Sequence, residues 1–199
     1  MNYFKIKEIS KSIFSGAPIF SFNNFETTNN GISIINIKDI ISNKISTDSI
    51  TKYFSENIQN LKGCEVYPGD VIISCRGTQL KMAIIPNELD KAVITANLIA
   101  IRPNEKILPL FLLAYLKSNE GQKKLLSYAK SSTMQIVFNI MDIGEILVPI
   151  PEISLQKKIS QLIQYADEQY HLCMESANLN HKIVNQIFSD LINSNIREE

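Results

Sequence analysis

The segment Arg76-Gly77-Thr78-Gln79 places a guanidinium, a hydroxyl and an amide directly after the apolar run Val71–Cys75. An arginine on a glycine-flanked loop can donate two parallel hydrogen bonds to a guanine edge, and it suits a phosphate equally well. Lys81, just beyond, fits either a phosphate contact or an exposed strand lysine. The alternative for the whole segment is an ordinary surface loop. The candidate nucleic-acid contacts in this segment are Arg76, Thr78, Gln79 and Lys81.

A second group of polar side chains follows further along the chain. The tripeptide Thr95-Ala96-Asn97 interrupts an apolar stretch, where its hydroxyl and amide groups could form either a buried polar network or a base contact. In Ser131–Gln135, short hydroxyls and an amide can reach phosphates or an adenine edge. Lys123 and Lys124 add positive charge nearby, unless they are solvated helix lysines. The candidate contacts in this group are Asn97, Lys130, Ser132, Thr133 and Gln135.

Motifs for catalysis are absent from the sequence. It has no glycine-rich cofactor loop, no phosphate-binding Gly-Lys-Ser/Thr, no Asn-Pro-Pro-aromatic or Asp-Pro-Pro-aromatic methyltransferase signature and no Glu-x-Lys nuclease element. His171 and His181 lie on a predicted helix at a spacing that turns them about 80° apart, so we interpret them as solvated helix residues. We expect no catalytic residue, no metal site and no cofactor on this chain.

Composition limits the class of protein. The 199 residues, of which 45% are hydrophobic, are enough for one or two small domains with a buried core. The N-terminus carries charges where a secretory signal is apolar, and the most apolar run, Ile107–Leu116, is about half the length needed to cross a bilayer. We expect a cytoplasmic protein with no membrane partner. The three cysteines lack metal-ligand spacing and are expected to be reduced thiols.

The net charge of zero does not by itself indicate a nucleic-acid binder. The charge is uneven, because residues 1–150 hold 16 Lys and Arg against 13 Asp and Glu, whereas residues 151–199 hold 4 against 7. A surplus of three positive charges cannot support tight binding by phosphate neutralisation alone. Binding to DNA would therefore require local positive patches, base-edge contacts or charge from a partner.

Short apolar runs separated by Gly, Pro and Asn predict a sheet in the first part of the chain. The predicted strands are Ile32–Ile37, Val71–Cys75, Leu80–Ile85, Val93–Ile101, Met134–Phe138 and Ile146–Ile150. Pro109 is predicted to begin the first of two short helices, which Gly121 interrupts. We predict an α+β fold, with a sheet-rich domain and short helices over residues 1–150, followed over residues 151–199 by one long C-terminal coiled-coil helix.

Residues 153–196 contain neither Gly nor Pro, and a heptad seam runs along them, because mainly apolar residues recur at alternating steps of four and three. The seam would extend for about 50 Å, more than one small domain can cover, so another helix must bury part of it. The alternative is an amphipathic helix folded back on its own domain. Asn180 is a candidate for setting the register of the helix pair. The seam consists of Ile159, Ile163, Ala166, Tyr170, Cys173, Ala177, Asn180, Val184, Ile187 and Leu191.

Two segments resemble the specificity subunit of type I restriction-modification systems. In Tyr67–Thr78 a Gly-Asp turn precedes a buried strand and an Arg-Gly-Thr loop, and in Val148–Gln156 a proline-rich exit leads through a glutamine into the long helix, as in that family. Lys5–Ile9 is similar to the family's opening. Ser131–Gln135 resembles its Gly-Thr-containing loop, with serine in place of the glycine. The resemblance covers most of the chain.

The resemblance implies a half-size specificity subunit, with one target recognition domain where full family members have two. Such a subunit would read one half of a bipartite site in double-stranded DNA and pair antiparallel with a second copy through the terminal helix. The resemblance also implies modification subunits, which bind S-adenosylmethionine and methylate adenine, and a restriction subunit that translocates and cleaves. The alternatives are the recognition module of another phage-defence methylation system, a target-recognition fragment of a DNA methyltransferase and a coiled-coil adaptor.

Overall fold

A computed structural model describes residues 2–18, 26–54, 61–89, 92–129 and 136–196. Its strands are β1 (Asn2–Lys5), β2 (Ser10–Ser15), β3 (Glu26–Ile35), β4 (Ile40–Ile41), β5 (Lys44–Ile45), β6 (Thr51–Phe54), β7 (Glu65–Val66), β8 (Val71–Ser74), β9 (Arg76–Gly77), β10 (Met82–Ile84), β11 (Ala92–Ile94), β12 (Leu98–Pro103), β13 (Ile136–Val137) and β14 (Leu147–Ile150). Its α-helices are α1 (Pro109–Lys117), α2 (Asn119–Tyr128), α3 (Ile140–Glu145) and α4 (Ile153–Ile196). Contacts divide the chain into two units, Met1–Lys157 and Lys158–Glu199.

Four strands of the first unit form an antiparallel sheet in the order β10-β8-β12-β2. Strand β8 is buried along its whole length, which explains why its sequence is a continuous apolar run rather than an alternating pattern. Val71 at its start pairs with Ile101, and Ser74 at its end pairs with Leu98. We call the side of the sheet at which β8 begins the Asp70 end, after the residue before β8. The opposite side, at which β8 ends, is called the Ser74 end, after the last residue of β8. The two ends lie about 14 Å apart.

A second sheet has the order β6-β3-β11-β7, with β11 parallel to β3 and the other pairs antiparallel. The two sheets share one core, in which Ile94 of the second sheet packs in the same cluster as Ile72 and Ala100 of the first. The chain after β2 joins them, because the Ala17 amide donates a hydrogen bond to the Ile94 carbonyl at 2.9 Å. Gly16 is required here, since a Cβ at this position would clash with the same carbonyl.

The predicted α+β fold with a long C-terminal helix is confirmed, but one predicted strand is wrong. The run Val93–Ile101 is divided into β11 and β12, which lie in different sheets. The division is a turn at Thr95–Asn97, closed by the Leu98 amide, which donates to the Thr95 carbonyl at 2.9 Å. Apolar periodicity could not reveal this turn, because the strand residues on both sides of it are buried.

The two predicted short helices are α1 and α2, but Gly121 does not separate them. The break falls at Ser118, whose hydroxyl caps α2 by accepting a hydrogen bond from the Gly121 amide at 3.1 Å. Gly121 instead lies inside α2, where a Cβ would clash with the Tyr115 carbonyl of α1. The glycine therefore permits close packing of the two helices rather than marking their boundary.

Gln156 anchors the first turn of α4 within the first unit. Its side chain is buried, its Oε1 accepts a hydrogen bond from the Leu108 amide at 2.9 Å, and its Nε2 donates to the carbonyls of Lys106 at 3.0 Å and Pro151 at 2.9 Å. Both donors and the acceptor of the amide are thus used, which makes its burial tolerable. These bonds agree with the extent of the first unit, which ends at Lys157. The predicted boundary between the sheet-rich domain and the helical segment at residue 150 stays a prediction.

An ion pair between the buried Asp70 and the partly buried Arg102 holds the Asp70 end together. The Arg102 guanidinium donates to Asp70 Oδ1 at 2.9 Å and to Oδ2 at 2.7 Å, and the Tyr67 amide donates to the same Oδ2 at 2.9 Å. The Asp70 side chain is only 3% exposed, and the guanidinium also lies over the rings of Phe14 and Tyr67. The Asp70 carboxylate raises the pKa of Arg102. Gly69 supplies the φ of +88° that the turn before Asp70 requires.

Asp70→Asn should lower the free energy of unfolding by about 2–4 kcal/mol, because it leaves the partly buried Arg102 guanidinium without its anion. Urea denaturation at a constant m-value measures the change. The matched control is Asp48→Asn, which removes an exposed carboxylate and should change the same free energy by less than about 0.5 kcal/mol. Equal effects of the two substitutions would contradict this role for Asp70.

Candidate nucleic-acid interface

Three of the predicted contacts lie on the loop that joins β8 to β10 at the Ser74 end. Arg76, Thr78 and Gln79 are exposed on this loop. Its base is closed by two hydrogen bonds, because the Ser74 amide donates to the Lys81 carbonyl at 2.8 Å and the Lys81 amide donates to Ser74 Oγ at 2.9 Å. The loop therefore presents its polar side chains from a closed base.

Strand β9 connects this loop to a distant part of the sequence. It pairs antiparallel with β13, so that Arg76 faces Val137 and Gly77 faces Ile136. Gly77 has a φ of +146°, a conformation that L side chains rarely adopt. Strand β13, which follows residues 130–135 in the sequence, thus lies beside the Arg76 loop. The members Lys130, Ser132, Thr133 and Gln135 of the second predicted group lie outside the described residues.

The turn at Thr95–Asn97 lies beside the same loop. The Cys75 amide donates to the Asn97 carbonyl at 2.9 Å, and the Cys75 thiol donates to the Ala96 carbonyl at 3.3 Å. Burial raises the pKa of the Cys75 thiol, which therefore stays a protonated donor at neutral pH. The half-buried Asn97 is thus next to Cys75, the residue before Arg76. The buried Thr95 hydroxyl has no hydrogen-bond partner within the part of the chain that the structure describes, so it forms no polar network there.

Lys81 occupies a different environment from the other predicted contacts. It is half-buried, and its ammonium donates to the carbonyls of Ile37 at 3.2 Å and Ile40 at 3.0 Å. These bonds use two of its three donors and join the Ser74 end to the segment that follows β3. A phosphate contact by Lys81 stays a prediction, but the observed bonds give it a structural role.

Two residues that position this surface were not predicted from the sequence. Ser74 closes the loop base and Cys75 ties the loop to the neighbouring turn. The sequence did carry a signal for them, because a hydroxyl and a thiol follow directly on the apolar run Val71–Ile73, and all of these residues are buried. Buried polar groups of this kind require partners, and here the partners are the loops themselves.

The predicted helix seam lies in the second unit. Every predicted seam residue from Ala166 onward is exposed, and the exposed fractions are 62% for Tyr170, 63% for Val184, 54% for Ile187 and 57% for Leu191. Ile159 and Ile163 are half-buried. An exposed apolar stripe of this length is typical of a surface that binds a partner. The remaining seam residues Ala166, Cys173, Ala177 and Asn180 are exposed as well.

The described ranges offer neither a metal centre nor a membrane-spanning helix. No cluster of three or more His, Cys, Asp or Glu side chains within them could hold a metal ion. None of the described helices is both long and apolar enough to span a bilayer.

The fold is similar to that of three solved proteins of restriction-modification systems. A chain of the type I R-M system solved for its complex assembly and conformational transition is 19% identical, with a TM-score of 0.61 over 84% of this chain and 38% of that chain. The HsdS subunit from Thermoanaerobacter tengcongensis is 18% identical, with a TM-score of 0.58 over 84% of this chain and 37% of that one. The type IIG restriction endonuclease BpuSI is 9% identical, with a TM-score of 0.60 over 81% of this chain and 26% of the enzyme.

These likenesses show a shared fold, and the chain spans less than two fifths of the length of each solved protein. No protein with a curated function matches the sequence. The family model of the type I restriction modification DNA specificity domain matches residues 1–180, which is most of the chain. The resemblance found in the sequence is thereby confirmed, and the chain belongs to the type I restriction-modification DNA specificity domain family.

Proposed function

We propose that the chain reads one half of a bipartite site in double-stranded DNA and directs partner subunits to that site. The observation that carries this proposal is the convergence of separate loops at the Ser74 end of one sheet. The loop after β8, the turn before β12 and strand β13 meet there through hydrogen bonds of Cys75 and the pairing of β9 with β13. Residues distant in the sequence thereby form one surface.

The chemistry of this surface suits base reading. Arg76 is exposed, lies next to Gly77 and follows Cys75, whose hydrogen bonds hold it to the neighbouring turn. An exposed guanidinium on a backbone held in this way can donate two parallel bonds to the O6 and N7 of a guanine. Thr78 and Gln79 add short hydroxyl and amide groups on the same loop, and Asn97 lies beside it. A loop with a closed base loses less conformational entropy when it binds DNA than a loop without such constraints.

Membership of the family supports a proposal for the partners. We propose that modification subunits supply S-adenosylmethionine binding and adenine methylation, that a restriction subunit supplies translocation and cleavage, and that this chain performs no catalytic step and holds no cofactor. The complex would act in the cytoplasm, where its DNA lies. Partner subunits would also supply part of the positive charge that this chain lacks, since its net charge is zero. No observation favours the methyltransferase fragment, another phage-defence module or the coiled-coil adaptor.

We further propose that α4 pairs antiparallel with α4 of a second copy. The support is the exposed seam, whose apolar side chains would be buried by a partner helix of the same pattern. Asn180 lies within the seam, where a polar residue is least costly when it faces a group that can hydrogen-bond to it. Two copies related by a two-fold axis would carry two identical reading surfaces.

Arg76→Ala should weaken DNA binding by about 1–3 kcal/mol. If the side chain reads guanine, the preference at one base position is lost; if it holds a phosphate, all sequences are weakened alike. Titration of duplexes that differ at single positions distinguishes the two results. Lys11→Ala, which removes an exposed charge near the Asp70 end, is the matched control and should bind as the wild type does. Unchanged affinity of Arg76→Ala for target and random duplexes would remove Arg76 from the site.

The double substitution Ile163→Asp and Ile187→Asp should convert a dimer into monomers, because it places charges in a seam that a partner helix would desolvate. Analytical ultracentrifugation measures the change at tens of micromolar, a protein concentration comparable with the Kd of a weak protein–protein interface. The control is Gln161→Asp with Ser189→Asp, which adds the same charges on the opposite face of α4 and should leave the dimer intact. A wild-type chain that sediments as a monomer would contradict the proposed pairing.

A further inference from the structure

The short hairpin formed by β4 and β5 also lies at the Ser74 end. Its base is fixed there because the Lys81 ammonium donates to the carbonyls of Ile37 and Ile40, and β5 packs against β10. Strand β3, which leads into the hairpin, ends where the Thr95 amide donates to the Ile35 carbonyl at 3.1 Å. The hairpin is thus joined both to the Arg76 loop and to the turn that carries Asn97.

The base of the hairpin is held by hydrogen bonds and by burial, and its tip is exposed. Asp39 is fully buried and accepts a hydrogen bond from the Asn36 amide at 2.8 Å, while its carbonyl accepts one from the Ser46 amide at 2.9 Å. Ile40 is buried and Ile45 packs against the core cluster. Beyond this base the tip residues 41–44 are all exposed.

The exposed charge of the hairpin and of the helical turn Ile37–Asp39 that precedes it is entirely positive. Lys38 and Lys44 are exposed, whereas Asp39, the only acidic residue between Asn36 and Ser46, is buried. The tip also presents the 53% exposed side chain of Ile41, together with a hydroxyl and an amide. This combination of ammonium groups, hydrogen-bonding groups and one apolar side chain is what contacts to phosphates, base edges and a thymine methyl group require.

The two residues of the turn at the tip, Ser42 and Asn43, have backbone conformations in which glycine would be less strained. Ser42 has a φ of +49° and Asn43 a φ of +62°, in a two-residue turn that pairs Ile41 with Lys44. Asparagine tolerates this conformation, but for serine it is uncommon. Such strained residues cluster at ligand-binding sites, where their side chains have a use.

We propose that this hairpin is a second DNA-contacting element, with Lys38 and Lys44 on backbone phosphates and Asn43 on a base edge of the same duplex that the Arg76 loop reads. The inference rests on the proposed DNA recognition and extends it to a segment that no sequence motif indicated. Lys81 then acts as a positioning residue, because its ammonium holds the hairpin beside the Arg76 loop.

The test compares two double substitutions in the full chain, alone and assembled with its modification subunits. Lys38→Ala with Lys44→Ala should reduce the affinity for target and random duplexes by a similar factor, and it should lower the slope of log affinity against log salt by about 1.8, as expected for two lost phosphate contacts. The control, Lys11→Ala with Lys106→Ala, removes two exposed positive charges near the Asp70 end and should leave the slope unchanged. Thermal unfolding confirms that both proteins fold.

Asn43→Gly tests the base contact separately, because glycine suits the left-handed turn and removes only the amide side chain. It should reduce the discrimination between the preferred half-site and a single-base variant by about fivefold or more, without changing the salt slope. A lysine double variant that matches the control in affinity and slope would overturn the phosphate contacts, and unchanged discrimination by Asn43→Gly would overturn the base contact. If the wild-type chain bound no DNA, alone or assembled, the proposed function itself would fail, which is distinct from either result.

Discussion

Strand β8 is buried along its length and is bounded by two buried polar side chains, Asp70 before it and Ser74 at its end. A buried carboxylate or hydroxyl without partners costs free energy, so each must be satisfied close by. Arg102 and the Tyr67 amide satisfy Asp70, and the Lys81 amide satisfies Ser74. These two sets of hydrogen bonds fix where the chain turns at both edges of the sheet, and the rest of the first unit is built around them.

The Asp70 end and the Ser74 end of the sheet therefore have separate roles. Near the Asp70 end the chain leaves β12 and reaches the loop at Lys106 to Leu108, whose backbone is bonded by Gln156 of α4. At the Ser74 end lie the loops that we assign to DNA. Because the buried length of β8 separates the two edges, the reading loops can vary in sequence without disturbing the start of the helix.

The sequence predicted most of the elements but few of their contacts. The continuous apolar runs predicted β8 and β10, and the absence of Gly and Pro predicted the length of α4, because burial and helix continuity are local properties of a sequence. The turn at Thr95–Asn97 was missed, since the strand residues on its two sides are equally apolar. The partners of Ser74, Cys75 and Lys81 also could not be predicted, because each partner is brought close only by the fold, as the Ile37 and Ile40 carbonyls are for Lys81.

The most direct test of this proposal is the pattern of DNA methylation that the chain produces with the proposed modification subunits. Genomic DNA from cells with and without the gene would be sequenced for N6-methyladenine. Two identical copies related by a two-fold axis must read two identical half-sites in inverted orientation. We expect a methylated motif that appears only with the gene and whose two halves, separated by a spacer, are inverted repeats of each other. A motif with two different halves would contradict the pairing of two copies, and the absence of any motif dependent on the gene would contradict DNA recognition by this chain.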